Sequence, residues 1–293
     1  MEHGLEVKFE LPLEVKAWDC HVHMSGSETP DSILKATEAA GLEGMIAFAP
    51  YPGLMTGHVM NRDEFRNSVE FASKIQRELD DKLAVFVFFE PRISRDQQEL
   101  VRLLEWALVD KELRGVKMIP AEWFPSESFM DPIYRKIEEV GAPILFHCGI
   151  SWGFPYSSKF CRPVEYEYLV KFPGIRFAIA HICWPWVDEA LALAGKFLFA
   201  VARGNYSKCR VFIDITPGTP PLWRADALRK ALIYLGPRLL MYGSDCFGAD
   251  NANCFAQHIV MDLKVLKGML GADEKTLELI FRENVLRFLR RQG

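Results

Sequence analysis

The chain lacks the features that would direct it to a membrane, a nucleic acid or an oxidising compartment. Its most apolar runs, 83–89 and 196–202, fall far short of the ~20 residues a membrane helix needs, so no membrane partner is expected. Residues 1–10 are polar and acidic rather than basic and then apolar, which predicts no secretory leader. Lys and Arg number 35 against 39 Asp and Glu, the net charge is −4, and no dense basic cluster occurs. Without that electrostatic footprint, nucleic acid is not expected as a partner. Cysteines are odd in number at seven and form no Cys-x-x-Cys pair. Neither a disulfide framework nor a zinc knuckle is expected, and a reducing, cytoplasmic location is. No glycine-rich phosphate loop follows the first apolar run, which counts against an open dinucleotide-binding sheet. No linker, repeat or low-complexity tract breaks the sequence, so a single domain over 1–293 is expected.

What the chain does have is an ordinary globular composition, 49% hydrophobic and 25% charged, enough to bury a sizeable core. Apolar, β-branched or aromatic runs at 15–23, 44–49, 83–89, 113–119, 143–148, 176–180, 210–215 and 238–242 read as strands. Between them lie segments of helical period at 30–40, 61–79, 97–109, 131–140, 163–172, 187–201 and 225–235, with further helix at 253–270 and 274–290. Pro30 opens the first helix, Gly41 closes it, and Asn61 is placed to cap the second. Strands of this kind belong to parallel sheets covered on both faces. Eight such units predict an α/β fold, a (β/α)8 TIM barrel with an additional C-terminal helix.

In such a barrel, chemistry collects where strands end. Side chains two apart on a strand share a face, so Asp19, His21 and His23 point one way while Cys20 and Val22 point the other. Lys117 lies on the fourth strand, His147 ends the fifth, His181 the sixth, and Asp245 follows the eighth. Four of the seven histidines thus stand at strand ends, a placement that packing alone does not require. Together they offer a divalent cation three imidazoles and a carboxylate, a set that suits zinc and also accepts manganese or iron.

Each residue also has a plainer reading. His147 and His181 can be satisfied core histidines, Asp245 an Asx turn or helix cap, and Lys117 a buried lysine reaching a carboxylate. Asp19 either orients a ligand from one layer deeper or caps a buried backbone. Cys20, Cys148 and Cys246 sit beside candidate ligands but aim at the outer helices, as small apolar filler. His58 follows the second strand on the functional side, while His3 and His258 are weak candidates.

Asp-Cys-His-Val-His (19–23), Gly-Val-Lys-Met-Ile-Pro (115–120), Pro-Ile-Leu-Phe-His-Cys-Gly (143–149), Phe-Pro-Gly-Ile-Arg-Phe-Ala-Ile-Ala-His (172–181), Tyr-Gly-Ser-Asp (242–245) and Glu-Asn-Val-Leu-Arg-Phe-Leu (283–289) occur in that order. Taken together they resemble the amidohydrolase superfamily, specifically amidohydrolase family 2. That branch includes metal-dependent hydrolases and the aminocarboxymuconate semialdehyde and resorcylate decarboxylases. The resemblance implies that His21, His23, His147 and Asp245 hold one divalent ion, most commonly Zn2+, and that His181 works unliganded or at the edge of a second site. Catalytic roles fit the same set: Asp245 can take the proton from the metal-activated water and return it to the leaving group, and His181 can hydrogen-bond or protonate the developing oxyanion. The resemblance also implies that Lys117 is unmodified, unlike the carboxylated lysine of other branches. Cys246-Phe247-Gly248 departs from the branch, which more often has an aromatic residue and a proline there.

The loops after the strands carry Tyr51, Trp123, Phe124, Trp152, Phe154, Tyr156, Trp184, Trp186 and Trp223, with Glu90, Arg92, Glu122, Arg162 and Arg224 among them. An aromatic wall with a few arginines suits a small cyclic carboxylate or lactone; tryptophans packed between subunits would instead suggest a homodimer. The leading expectation is hydrolysis of a C–O or C–N bond by metal-activated water. The alternative is metal-dependent, non-oxidative decarboxylation of an aromatic or unsaturated acid, and a third reading is a catalytically silent binding barrel.

Overall fold

The computed structural model describes residues 16–290, apart from 80, 154–157 and 205–209. In chain order the elements are β1 (Ala17–His23), α1 (Pro30–Ala39), β2 (Leu42–Phe48), α2 (Arg62–Glu78), β3 (Leu83–Phe88), α3 (Gln97–Glu105), β4 (Gly115–Met118), α4 (Asp131–Val140), β5 (Pro143–Phe146), β6 (Arg176–Ile179), α5 (Val187–Ala202), β7 (Arg210–Asp214), α6 (Pro221–Tyr234), β8 (Leu240–Met241), β9 (Cys246–Phe247), α7 (Ala252–Leu263), α8 (Glu274–Glu278) and α9 (Asn284–Leu289). Local chemistry sets the boundaries. Thr29 and Ser32 form a reciprocal cap on α1, and the Asn61 side chain accepts from the N–H groups of Asp63 and Glu64 to start α2. Gly141, at φ 71°, ends α4 in the left-handed conformation.

From β1 to β8 every strand pairs in parallel with the next, and β9 pairs with β1. The ring closes through Cys20 N–H donating to Tyr242 O at 3.0 Å and Asp245 N–H donating to His21 O at 2.8 Å. This is the (β/α)8 barrel that the alternation predicts. Its eighth stave is split into β8 and β9 because Asp245 takes a left-handed φ of 60°, which no extended strand accommodates. Gly243 lets the chain pack closely here, since a Cβ would lie 2.5 Å from Thr216 Cγ2 and 2.9 Å from His21 Cβ. At the opposite end, α9 turns Phe288 against Phe86 and Phe212, with ring centroids 6.0 and 5.3 Å apart. Arg176, at the start of β6, donates to Phe288 O. The terminal helix therefore covers the end of the barrel away from the strand C-termini.

Two expectations need correction. The segment 163–172 is a 3-10 helix over Pro163–Lys171, not an α-helix. Its buried residues Pro163, Tyr166, Leu169 and Phe172 recur every three positions, which matches three residues per turn rather than 3.6. The cysteines are not all unpaired: Cys148 is bonded to Cys183 and Cys246 to Cys254. Cys148 and Cys183 lie 35 residues apart and meet only because β5 and β6 are neighbours. Cys20 and Cys161 remain buried thiols, whereas Cys209 lies outside the described residues, as do His3, Phe154 and Tyr156. No described helix is long and apolar enough to cross a membrane.

Candidate metal centre

All of β1 is buried, and its alternation places His21 and His23 side by side at the barrel mouth, ring centroids 5.3 Å apart. Asp245 reaches both, its Oδ1 lying 3.1 Å from His21 Nε2 and 3.3 Å from His23 Nε2. These three side chains present ligand atoms within 4.8 Å of one another. His147, directly after β5, and His181, after β6, line the same cavity together with Lys117. His147 lies outside the tight triad. Its Nδ1 is 3.2 Å from His181 Nε2, and its carbonyl accepts from the Tyr166 hydroxyl. His181, Ile182 and Cys183 all have positive φ, between 44° and 61°, a conformation that L-residues sustain only where surrounding contacts hold it.

The hydrogen-bond partners determine which nitrogen of each ring carries the proton. Pro217 O lies 2.9 Å from His181 Nδ1, and a carbonyl can only accept, so Nδ1 is protonated and Nε2 bears a lone pair. His147 Nδ1–H must then donate to that lone pair. This leaves His147 Nε2 as an acceptor, and it is buried without a partner. By the same logic His21 Nδ1–H donates to Asp214 Oδ2 at 2.5 Å, which turns the His21 Nε2 lone pair towards Asp245. Lone pairs on His21, a carboxylate oxygen of Asp245 and an unpaired nitrogen of His147 thus belong to residues that line one cavity. Such a set is favourable only around a cation, so the residues fit a divalent metal.

The electrostatics agree. Burial, as the largest effect, holds His23 and His181 at about 4 and lowers His147 as well, keeping all three neutral at pH 7, the state that His23 and His147 need as ligands. Burial and Lys117 push His21 down, yet Asp214 and Asp245 outweigh them and its pKa rises. Burial would raise Asp245, but His21 and His181 bring it well below the ordinary carboxylate range. Lys117, fully buried, is lowered to about 8. Its Nζ lies 3.3 Å from His21 Nε2 and 4.4 Å from the centre of the Phe48 ring.

Asp19 does share the His21/His23 face, but it acts on the backbone. Its Oδ1 accepts from His21 N–H and Ser244 N–H at 2.9 and 3.0 Å, fixing the crossing between β1 and the split stave. Asp214, the residue that orients a ligand ring, is not among the residues the sequence motifs single out. It is the last residue of β7, so inspecting the polar residue at the end of the seventh strand would have found it.

The charged loop residues expected to bind substrate are engaged elsewhere. Arg92 pairs with Glu90 and Glu122 at 3.0 and 2.9 Å, Arg162 with Glu189, and buried Arg224 with Asp262. His58 pairs with Glu64, His258 sits in α7, and Tyr51 and Trp123 are buried. The cavity encloses about 170 Å³ and is walled by Leu54, Ile119, Ile150, Trp152, Pro217 and Phe247 around the polar cluster. Phe247 lies flat on His23, centroids 4.7 Å apart at 8°. Trp152, exposed to 72%, stacks on Trp184 at 6.2 Å. Among the described residues that line the cavity, Lys117 is the only lysine or arginine.

Comparison with solved structures finds the same fold at low identity. A 5-carboxyvanillate decarboxylase from Sphingomonas paucimobilis is 12% identical with a TM-score of 0.65, covering 95% of this chain and 100% of that one. A 2,6-dihydroxybenzoate decarboxylase from Rhizobium is 12% identical with a TM-score of 0.66, covering 94% and 98%. A 5-carboxyvanillate decarboxylase from Novosphingobium aromaticivorans, complexed with manganese, is 13% identical with a TM-score of 0.65, covering 94% and 96%. None of the curated proteins matches the chain in sequence. The family model for amidohydrolases of the second type matches residues 18–291, nearly the whole chain and every strand end described above, and the protein belongs to that amidohydrolase family.

Proposed function

We propose that the protein is a metal-dependent, non-oxidative carboxy-lyase acting on a small monocyclic aromatic or unsaturated carboxylic acid. The observation that carries this reading is the cavity itself: the candidate ligand residues at its floor, an apolar wall above, and Lys117 as the only lysine or arginine among its described lining residues. A cavity of ~150 Å³ accommodates one benzene ring, so 170 Å³ suits a single ring. With Arg92, Arg162 and Arg224 engaged elsewhere, no guanidinium fork stands among the described residues that line the cavity. That favours a reaction in which the carboxylate lies against the cation and departs, over one in which it serves as a distant handle. The fold relatives that decarboxylate hydroxylated benzoates support the same choice, and hydrolysis of a lactone or amide becomes the second reading.

His21, His23, His147 and Asp245 are the proposed ligands of one divalent ion; manganese, present in a fold relative, is as consistent with this nitrogen and oxygen set as zinc. When bound, the ion supplies positive charge for the substrate carboxylate and for the negative charge that develops as the C–C bond breaks. The chain supplies the remainder. Asp214 fixes the His21 ring, and His181 fixes His147. Since both His181 nitrogens are occupied, His181 serves as a positioning residue in this reading. Leu54, Ile119, Ile150 and Phe247 keep water from the ring. The carbon that loses CO2 must gain a proton. Asp245 is held ionised, whereas the Lys117 ammonium, whose pKa burial lowers, lines the cavity and can donate a proton there. Lys117 therefore delivers the proton, and solvent restores it.

The test is to incubate manganese- and zinc-loaded protein with hydroxybenzoates and with lactones, following CO2 and acid release separately. CO2 with the decarboxylated ring is expected. Acid release from lactones without CO2 would transfer the site to the hydrolytic reading.

A further inference from the structure

Each disulfide is anchored beside a residue of the metal centre. Cys148 follows His147 and is bonded to Cys183, two residues past His181, while Cys246 follows Asp245 and is bonded to Cys254. The two differ in access. Cys148 and Cys183 are wholly buried, whereas Cys254 is partly exposed in the first turn of α7.

We propose that Cys246 and Cys254 form a reversible thiol–disulfide pair, a modification site for low-molecular-weight thiols and disulfides, whose state sets how firmly Asp245 and Phe247 are held in the metal centre. The inference rests on the metal-centre reading above but not on the identity of the substrate.

Three observations carry it. The Cα atoms of Cys246 and Cys254 are 6.0 Å apart, a separation a disulfide spans without moving the backbone. The Cys254 sulfur is approachable and lies at a helix N-terminus, where backbone N–H groups favour the thiolate needed for exchange; Cys246 is 1% exposed. The bridge also closes the segment that needs restraint. Asp245 has φ 60°, and besides the bridge this segment is held by Asp245 N–H to His21 O, Gly248 N–H to His23 O and Ala249 N–H to Glu28 Oε1, with β9 pairing to β1. Removing the bridge loosens the segment without dissolving it.

The exchange balances. A small thiol attacks Cys254 Sγ, the Cys246–Cys254 bond breaks, a mixed disulfide forms on Cys254, and Cys246 takes up the proton the thiol loses. A second small thiol attacks the mixed disulfide at its own sulfur, releasing Cys254 as a thiol and the small molecule as its disulfide. Excess small disulfide drives the same steps in reverse.

The test uses the full chain, wild type and Cys254→Ser, after treatment with oxidised glutathione or a phosphine reductant. Alkylation with peptide mapping is read alongside manganese affinity; manganese is chosen because it has little affinity for thiols. In the oxidised wild type Cys254 resists alkylation; after reduction it is labelled while Cys148 and Cys183 stay protected. Reduction is expected to weaken manganese binding by roughly 10-fold, the lower end for partners that support metal ligands. Cys254→Ser should show the weaker affinity under both treatments. Labelling of Cys254 after oxidation, or equal affinity in both states of the wild type, would overturn the proposal. So would redox dependence surviving in Cys254→Ser, which would transfer the effect to Cys148 and Cys183. Uptake of one extra zinc by the reduced protein at Cys246, Cys254 and His258, whose ligand atoms lie within 4.8 Å, would make the cluster a metal site instead. If Cys254→Ser does not fold, the wild-type labelling and affinity shift decide the matter alone.

Discussion

Replacing Asp214 with Asn tests the structure at its most exposed point. Both carboxylate oxygens accept from buried N–H donors: Oδ2 from His21 Nδ1 at 2.5 Å and Oδ1 from Thr216 N at 2.7 Å. An amide offers one oxygen, so one donor must face an NH2 group and go unsatisfied. A buried donor left unpaired costs about 1–3 kcal/mol, and the lost negative charge also weakens His21 as a ligand. Partners that support metal ligands typically contribute 10–100-fold in affinity, about 1.4–2.8 kcal/mol at 1.4 per tenfold, so the two routes give similar magnitudes. The assay is competition of manganese or zinc against a chromophoric chelator, with thermal unfolding of the metal-free protein alongside. Metal affinity should fall at least tenfold, and the metal-free protein should melt several degrees lower. Affinity within twofold of wild type, with unchanged melting, would refute both the tautomer assignment of His21 and the role given to Asp214.

Asp19→Asn should behave oppositely. Only Asp19 Oδ1 accepts N–H bonds and Oδ2 has no partner, so an amide can keep both contacts. Burial raises the Asp19 carboxyl from 3.8 to about 7, a preference for the protonated form that stabilises the fold at low pH and is lost as pH rises through 7. The stability of Asp19→Asn relative to wild type should therefore increase between pH 4 and 7 by up to a few kcal/mol and then level off, as denaturant titrations at each pH would show. His181→Asn should weaken metal binding by about tenfold through His147 as well as slowing turnover; unchanged metal affinity would place His181 on the substrate side instead. Metal affinity should fall as pH is lowered, first as protons compete for His21, whose pKa is raised, and again towards the value of about 4 held by His23. A loss on the alkaline side alone would contradict the neutral-imidazole arrangement. Elemental analysis should find one ion per chain; two would point to a modified Lys117 bridging them.

How much of this was legible beforehand depended on whether the cause was local. Strand alternation is a property of successive residues, so the common face of His21 and His23, and of Asp19 below them, followed from sequence order. The eight repeating units predicted a barrel for the same reason, and a barrel gathers strand ends whatever its loops contain. The period-three spacing of Tyr166, Leu169 and Phe172 is also written in the chain, but over ten residues it differs little from a period of 3.6. Other features depended on distant residues meeting. His21 and Asp214 are 193 positions apart, and the proton placement on His147 depends on Pro217 O acting through His181. The loop arginines are engaged by carboxylates that no local pattern pairs with them, and Cys148 meets Cys183 only across neighbouring strands. The sequence by itself determined which ligand types stand at the barrel mouth. Tertiary structure decided which nitrogen of each ring bears the lone pair and which charges are free to meet a substrate, because hydrogen bonds and ion pairs are set by distances between atoms, not between positions in the chain.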